Sequence, residues 1–152
     1  MPQQIQVERT IHGEALDLYE LVSDLPRMGE WSPENTGGRW VNGAAGPVVG
    51  ARFKGSNRNG WAKWSTDVVV TVAEPGERFS FDVTRGPFRV ANWDYTFDQQ
   101  GSKTLVVETW TDHRVPVIGT IAGWFIGVTD RPDRNRQGME VTLARLAAAV
   151  ES

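Results

Sequence analysis

The sequence contains no cysteine, which excludes disulfide bridges, thiol nucleophiles and zinc sites built from thiolates. It has only two histidines, His12 and His113, and neither belongs to a metal-binding spacing pattern. A Gly-rich phosphate loop, a Rossmann fingerprint and a nucleophile elbow are missing as well. We therefore predict neither a metal ion nor a cofactor.

The sequence also lacks an excess of positive charge, since its formal net charge is -3 at pH 7 and its pI is about 5.4. Nucleic-acid binding needs clustered Lys and Arg, so we predict no nucleic-acid partner. The first residues do not read as a signal peptide, and the absence of cysteine is compatible with a reducing compartment. We therefore expect a cytoplasmic location.

Apolar and polar side chains alternate along most of the chain, which is typical of half-buried β-strands. Turn signals such as Asn59-Gly60 and Gly86-Pro87 separate these segments, and such short turns indicate an antiparallel sheet. The predicted strands are Gln4 to Ile11, Gly38 to Asn42, Ala51 to Asn57, Lys63 to Ala73, Arg78 to Thr84, Arg89 to Phe97 and Thr104 to His113.

Helical spacing of apolar residues predicts a short helix from Gly13 to about Ser23 and a long closing helix from Asp133 to Glu151. The short helix cannot cover a sheet of this size. The closing helix has one apolar stripe, formed by Met139, Leu143, Leu146, Ala147 and Val150. We therefore predict an α+β fold in which the sheet curls around the closing helix and can leave a cavity.

Several short motifs follow one another in a fixed order along nearly the whole chain. They are Trp31-Ser32-Pro33-Glu34, Gly37-Gly38-Arg39-Trp40, Gly50-Ala51-Arg52-Phe53, Trp64-Ser65-Thr66, Ala73-Glu74-Pro75-Gly76 and Val107-Glu108-Thr109-Trp110. In this order they resemble the START-like (SRPBCC) superfamily, in particular its branch of polyketide cyclases, dehydrases and lipid-transport proteins. The resemblance implies a helix-grip fold, a curved seven-stranded antiparallel sheet around a long C-terminal helix, as a single domain over residues 1–152.

The period of two in a strand places Trp64, Thr66, Val68, Val70 and Val72 on one face. Hydrophobicity alone leaves the inward face of the last strand open, whereas the resemblance implies that Val106, Glu108 and Trp110 point into the cavity. The predicted ligand-binding residues are Phe53, Asn57, Trp64, Phe79, Phe81, Trp93, Tyr95, Phe97, Trp110, Met139 and Leu143. The alternative interpretation is that these large side chains simply fill the core.

Glu108 is the first candidate for chemistry, because burial among aromatic side chains tunes a carboxyl group toward acid or base catalysis. The alternative is an ion pair with Arg52 or Arg89. Asn57 either orients a ligand carbonyl or caps the following turn. The loop Trp31-Ser32-Pro33-Glu34 either brings Glu34 to a ligand at the cavity mouth or forms a capped turn with Trp31 packed beneath it.

The segment Val117 to Val128 is apolar except for Thr120, with a glycine at every fourth position. It is shorter than the about 20 residues that span a bilayer, so we expect no stable membrane insertion. One hypothesis is a mobile lid or a patch that touches a membrane while a lipid is collected. The other is a helical segment packed on the sheet edge or against a second copy of the chain, which would give a homodimer.

Two functions remain open. The first is the binding or carriage of a hydrophobic small molecule, such as a lipid, a polyketide or an aromatic compound. The second is an enzyme of the polyketide cyclase or aromatase kind, in which Glu108 or Tyr95 moves protons inside the cavity. The sequence favours the carrier, because it shows no set of convergent titratable groups.

Overall fold

The computed structural model describes residues 3–33, 35–113 and 132–151. Two α-helices, α1 (Ala15–Ser23) and α2 (Pro132–Glu151), and one 3₁₀ helix (Leu25–Glu30) accompany a sheet of seven strands. The strands are β1 (Gln4–Ile11), β2 (Asn35–Val41), β3 (Arg52–Asn59), β4 (Ala62–Glu74), β5 (Arg78–Arg85), β6 (Phe88–Gln100) and β7 (Lys103–Asp112).

All neighbouring strands are antiparallel, and their order in the sheet is β1-β7-β6-β5-β4-β3-β2. Each strand from β2 to β6 therefore pairs with the next one in sequence, and β1 lies at the edge of the sheet beside β7. The α+β helix-grip architecture predicted from the sequence is confirmed, including its curved seven-stranded sheet and its C-terminal helix.

The alternation of turns gives the sheet two distinct ends. The β3–β4 and β5–β6 turns lie at one end, which we call the Trp61 end after the residue in the first of these turns. The β4–β5 and β6–β7 turns lie at the other end. The helix α1 begins there, because the Ala15 backbone N–H donates to Gln99 Oε1 at 2.7 Å and Leu16 lies beside Gly76. We call this the α1 end.

Most predicted strand bounds agree with the structure to within a few residues. The largest shifts are of three residues: β2 begins at Asn35 rather than Gly38, and β6 ends at Gln100 rather than Phe97. Gly38 occupies φ +152° in β2, and a Cβ atom there would lie 2.2 Å from the Lys54 carbonyl oxygen. Only glycine permits this close approach of β2 to β3. The helix α1 begins at Ala15 rather than Gly13, because Glu14 is still extended.

An irregularity in β4 corrects the predicted face of that strand. The register shifts between Val70 and Val72, so that Val70 pairs with Phe81 whereas Val72 pairs with Ser80. The extra residue moves Val72 out of the row that contains Val68 and Val70, and Ala73 then pairs with Phe79. A bulge of this kind reverses the inward and outward alternation after it.

The helix α2 covers the concave face and packs mainly on β1. Its stripe of Met139, Leu143, Leu146 and Ala147 is fully buried, as predicted, while Val150 is partly buried. It runs from the Trp61 end toward the α1 end, where Val150 meets Gly13 and the Glu151 carboxylate accepts from the His12 backbone N–H at 2.9 Å. In the part of the chain that the structure describes, neither helix is long and apolar enough to cross a membrane.

Candidate functional site

A cavity of about 180 Å³ lies between the concave face of the sheet and the first half of α2. The loop after the 3₁₀ helix closes one side of it with Ser32 and Pro33. Strands β3 to β7 supply most of the wall, and α2 supplies Asn135, Gly138, Met139 and Thr142. The cavity therefore occupies the interior toward the Trp61 end, where α2 begins.

Most of the aromatic residues predicted from the sequence lie around this cavity. The predicted residues that line it are Phe53, Asn57, Trp64, Phe81, Trp93, Tyr95, Trp110 and Met139. Trp93 and Trp110 are directly opposite one another on β6 and β7, with ring centroids 6.4 Å apart. The alternation along these strands is what brings them to one wall.

Phe79, Phe97 and Leu143 do not line the cavity, which corrects the predicted set. Their side chains are buried in the core at the α1 end of the interior. Tyr19 of α1 fills this space, with its ring 6.0 Å from those of both Phe79 and Phe97 in edge-to-face geometry. The alternative interpretation, in which large side chains fill the core, therefore holds at the α1 end. The cavity lies at the Trp61 end.

Glu108 is 1% exposed and lies among the aromatic side chains of the cavity wall. Tyr95 is its direct partner across the β6–β7 ladder, and the phenolic O–H of Tyr95 donates to Glu108 Oε2 at 2.7 Å. The second carboxyl oxygen, Oε1, is buried and has no hydrogen-bond partner. The inward direction of Val106, Glu108 and Trp110 is thus the one that the resemblance implied.

Burial raises the pKa of Glu108 to about 8, although the Tyr95 hydrogen bond acts in the opposite direction. Burial, and then the neighbouring Glu108 carboxylate, raise the pKa of Tyr95 well above its usual value of 10. Both groups are therefore mainly protonated near neutral pH. A protonated carboxyl group can donate a hydrogen bond into the cavity, which a carboxylate cannot do.

The predicted alternative, an ion pair of Glu108 with Arg52 or Arg89, is wrong for the described residues. Arg89 Nε lies 3.1 Å from Asp82 Oδ2, and Arg89 also contacts His113 Nε2 at 2.8 Å. Both of these contacts lie away from the cavity wall, because Asp82 is on the opposite face of β5 from Phe81. Arg52 is exposed on β3.

Three asparagines line the cavity, and the sequence predicted only Asn57 among them. Asn35 Oδ1 accepts a hydrogen bond from the Gly37 backbone N–H at 2.6 Å. Asn57 Nδ2 donates to Thr66 Oγ1 at 3.3 Å across the β3–β4 pair, so its amide is bonded across the sheet rather than into the next turn. Asn135 Nδ2 is buried and has no partner. Glu108 Oε1 and Asn135 Nδ2 are therefore the two unpartnered polar atoms of the cavity wall in the described part of the chain.

A protein-family model described as polyketide cyclase/dehydrase and lipid transport matches residues 2–151. The chain belongs to this family. None of the curated protein sequences compared with it matches significantly.

Solved structures carry the same fold. The polyketide-cyclase-like protein Cgl2372 from Corynebacterium glutamicum is 31% identical over 98% of this chain and 83% of its own, with a TM-score of 0.56. Major latex-like protein 151 from Panax ginseng is 11% identical over 98% of this chain and 97% of its own, with a TM-score of 0.71. DynU16, a protein in the dynemicin biosynthetic locus, is 16% identical over 98% of this chain and 47% of its own, with a TM-score of 0.65.

In this member of the family, sequence reasoning missed the polar wall that α2 contributes. Asn135, Met139 and Thr142 follow one another at spacings of four and three, so they share one side of the helix. The predicted apolar stripe begins at Met139. Extending the same spacing by one turn toward the start of the helix would have found Asn135.

The predicted loop at residues 31–34 is described only in part, and the segment Val117 to Val128 is not described. Trp31 is buried, with the Arg27 guanidinium 5.4 Å from its ring centroid, which fits the packed-turn interpretation of that loop. Glu34 and the segment Val117 to Val128 lie outside the described residues. Within residues 3–33, 35–113 and 132–151, no three His, Asp or Glu side chains form a group that could hold a metal ion.

Proposed function

We propose that this protein binds a hydrophobic small molecule that carries a hydrogen-bond acceptor oxygen, in the cavity between the sheet and α2. The observation that carries this proposal is Glu108 Oε1, a buried carboxyl oxygen without a partner in an aromatic wall. An unsatisfied buried polar group costs free energy, so a ligand that supplies its missing hydrogen bond gains affinity there.

The direction of that hydrogen bond follows from the proton positions. Tyr95 donates to Oε2, so the proton of the neutral Glu108 carboxyl group lies on the unpartnered Oε1, which in this proposal donates to the ligand. Asn135 Nδ2 is a second donor on the wall. Two donors in an apolar cavity favour a ketone, ester or quinone oxygen over an amine or an ammonium group.

The size of the cavity limits the ligand. A dry cavity of about 150 Å³ can hold one benzene ring, so about 180 Å³ suits a ligand of roughly one ring. Among the residues of the wall, Phe53, Trp64, Phe81, Trp93, Trp110 and Met139 supply the apolar contacts in this proposal, and Tyr95, Glu108, Asn57 and Asn135 supply the polar ones. A cytoplasmic location and a homodimer stay predictions from the sequence.

A second function, cyclisation of a short polyketide, is favoured by the pKa of about 8 that burial gives Glu108. A group that titrates near neutral pH suits both proton removal and proton return. In this reaction the Glu108 carboxylate removes a proton from carbon next to a carbonyl, the new carbon nucleophile attacks a second carbonyl, and Glu108 returns the proton to the resulting alkoxide. The similarity to DynU16 from a biosynthetic locus supports this candidate at the level of the fold.

Binding is tested with acetophenone, and with ethylbenzene as the matched ligand without the oxygen, by quenching of tryptophan fluorescence and by native mass spectrometry. We expect acetophenone to bind about ten-fold more tightly, which is the size of one buried hydrogen bond. Glu108→Leu should remove this preference, whereas Glu77→Gln, a change at an exposed glutamate, should preserve it. Equal affinity for the two ligands would contradict the proposal.

Glu108→Gln separates the two functions. Glutamine keeps a donor in the cavity but cannot take a proton from carbon, so a carrier retains its ligand preference in this variant. If a short linear polyketide is converted by the natural protein and not by Glu108→Gln, the cyclase is the function. If the compound is retained unchanged by both, the protein is a carrier.

A further inference from the structure

Two large apolar side chains are exposed at the same end of the sheet. Trp61, in the turn between β3 and β4, is 92% exposed, and Phe88, directly after the β5–β6 turn, is 51% exposed. Single exposed apolar residues are common on protein surfaces. Here two exposed aromatic side chains lie at neighbouring hairpin tips of the same sheet. Such a pair indicates an interaction surface more strongly than a single exposed residue does.

Positive charge accompanies both residues. Arg58 and Lys63 flank Trp61, Arg85 precedes the β5–β6 turn, and no acidic residue occurs between Ala51 and Thr66. Arg58 Nε donates to the Gly60 carbonyl oxygen at 2.8 Å, which holds its guanidinium group at the tip. Within the described residues, none of these three cations forms an ion pair.

The α1 end carries more acidic than basic residues, although Arg52, Arg78 and Lys103 also lie there. Glu14 and Asp17 lie at the start of α1, and Glu74 and Glu77 lie at the β4–β5 turn. The chain as a whole is negative, with a formal net charge of -3, so the basic tips differ in sign from the molecule's net charge. An anionic surface would therefore attract the Trp61 end and repel the α1 end, which orients the molecule as it approaches.

The exposed tips also lie next to the cavity. Asn57 and Trp64 line the cavity within a few residues of the β3–β4 turn, and Val83 and Val90 do so beside the β5–β6 turn. A surface that contacts both tips would lie close to the cavity wall. This placement would let an apolar molecule pass between the surface and the cavity with little exposure to water.

We propose that the Trp61 end docks on an anionic lipid bilayer, with the Trp61 and Phe88 rings among the headgroups and Arg58, Lys63 and Arg85 over the lipid phosphates. Tryptophan is enriched at membrane interfaces because its ring is apolar and its N–H is polar. Basic side chains beside such a ring add attraction to anionic lipids. The docking is peripheral and reversible, and it requires no ligand in the cavity.

The test is co-sedimentation with vesicles of phosphatidylcholine alone and with vesicles of mixed phosphatidylcholine and phosphatidylglycerol. We expect binding to the mixed vesicles only, and a loss of that binding as salt is raised, because salt screens exposed charges. Trp61→Ser should reduce binding by about ten-fold, and Lys63→Glu should reduce it by about five-fold or more. Brominated lipids should quench the tryptophan fluorescence of the natural protein and have little effect on the fluorescence of Trp61→Ser.

The matched control changes equally exposed apolar residues at the other end. Val48 and Val49, in the β2–β3 loop, are 64% and 66% exposed, and the double change to serine should leave vesicle binding unaltered. Thermal unfolding of each variant verifies that folding is retained, which we expect because Trp61 makes few contacts.

Three results would overturn the proposal. The first is the absence of binding by the natural protein to the mixed vesicles, and the second is an equal loss of binding in Trp61→Ser and the Val48/Val49 double variant. The third is a natural protein that forms dimers without lipid while Trp61→Ser is monomeric and both bind vesicles alike, because the tip would then be a contact between two copies of the chain. None of these results depends on whether the cavity binds a ligand.

Discussion

The strands carry the same kinds of aromatic side chain at both ends of the interior. These side chains fill a core at the α1 end and line a cavity at the Trp61 end. At the α1 end Phe79 and Phe97 are packed against Tyr19 and belong to a filled core. Two residues further along each strand, toward the Trp61 end, Phe81 and Tyr95 line an open cavity. The strand pattern is identical at both ends, so the pattern alone does not decide which end is open.

The difference comes from what faces the sheet. The short helix α1 inserts one aromatic ring between Phe79 and Phe97, and Leu143 and Leu146 of α2 are buried in the same part of the interior. At the cavity, α2 contributes Met139 and the smaller or polar residues Gly138, Thr142 and Asn135. Helix residues therefore decide where the interior is filled.

The polar groups of the two ends differ in the same way. Thr104 at the α1 end is fully buried, and its hydroxyl donates to the Gly13 carbonyl oxygen at 2.7 Å. Glu108 and Asn135 at the cavity each leave one buried polar atom without a partner. A core satisfies its polar groups internally, whereas a binding site leaves some of them for a ligand.

The largest expected effect is on the stability of the filled end. We expect Phe79→Ala to lower the free energy of unfolding by about 3 to 5 kcal/mol, because it removes a fully buried ring and leaves a cavity beside Tyr19. The measurement is chemical denaturation followed by circular dichroism. Trp64→Ala, at the half-buried cavity wall, is the comparison, and its cost should be at most about 2 kcal/mol. Equal costs would mean that the two ends are packed alike.

The next effect is the pH dependence that Glu108 gives to the cavity end. Its folded-state pKa of about 8 lies above the ordinary value of 4.5, so the folded state binds the proton more tightly than the unfolded state. The free energy of unfolding should therefore fall as pH rises from about 4.5 to about 8, by on the order of 4 to 5 kcal/mol, and level off above that window. Denaturation curves at intervals across this range measure the slope.

Glu108→Gln is the control for that slope, because glutamine has the same shape and does not titrate. We expect its stability to change little across the window and to exceed that of the natural protein at alkaline pH. Tyr95→Phe removes the hydrogen bond that lowers the pKa of Glu108, so the falling limb should extend to higher pH. A slope that survives in Glu108→Gln would assign the pH dependence to another group.

The sequence was sufficient for the architecture and for the aromatic residues of the cavity wall. Period-two alternation and the turn residues predicted all seven strands, and helical spacing predicted the buried stripe from Met139 to Ala147. These features are local, because each depends on residues close together in the chain. The inward direction of Glu108 came from the resemblance to the family rather than from periodicity.

The remaining errors concern contacts between distant parts of the chain. Nothing near Phe79 or Phe97 in sequence indicates that Tyr19, far away on α1, fills the space beside them. The bulge that moves Val72 out of its row is a property of the β4–β5 pairing, and β4 shows no glycine or proline there. In the described part of the chain no arginine pairs with Glu108, and this too depends on a contact between strands, since Arg89 lies beside Asp82.

The smallest expected effect compares two threonines, one at each end. Thr104→Val removes the fully buried hydroxyl that donates to the Gly13 carbonyl, and we expect a loss of about 1 to 3 kcal/mol in the free energy of unfolding. Thr66→Val removes only the longer contact with Asn57 at the cavity wall, where the amide can turn toward the cavity instead, so the expected loss is below about 1 kcal/mol. Both substitutions preserve side-chain shape, so chemical denaturation compares the hydrogen bonds alone. If Thr66→Val is the more destabilising of the two, the cavity wall depends on its own hydrogen bonds as much as the core does. The two ends would then not differ in how their polar groups are satisfied.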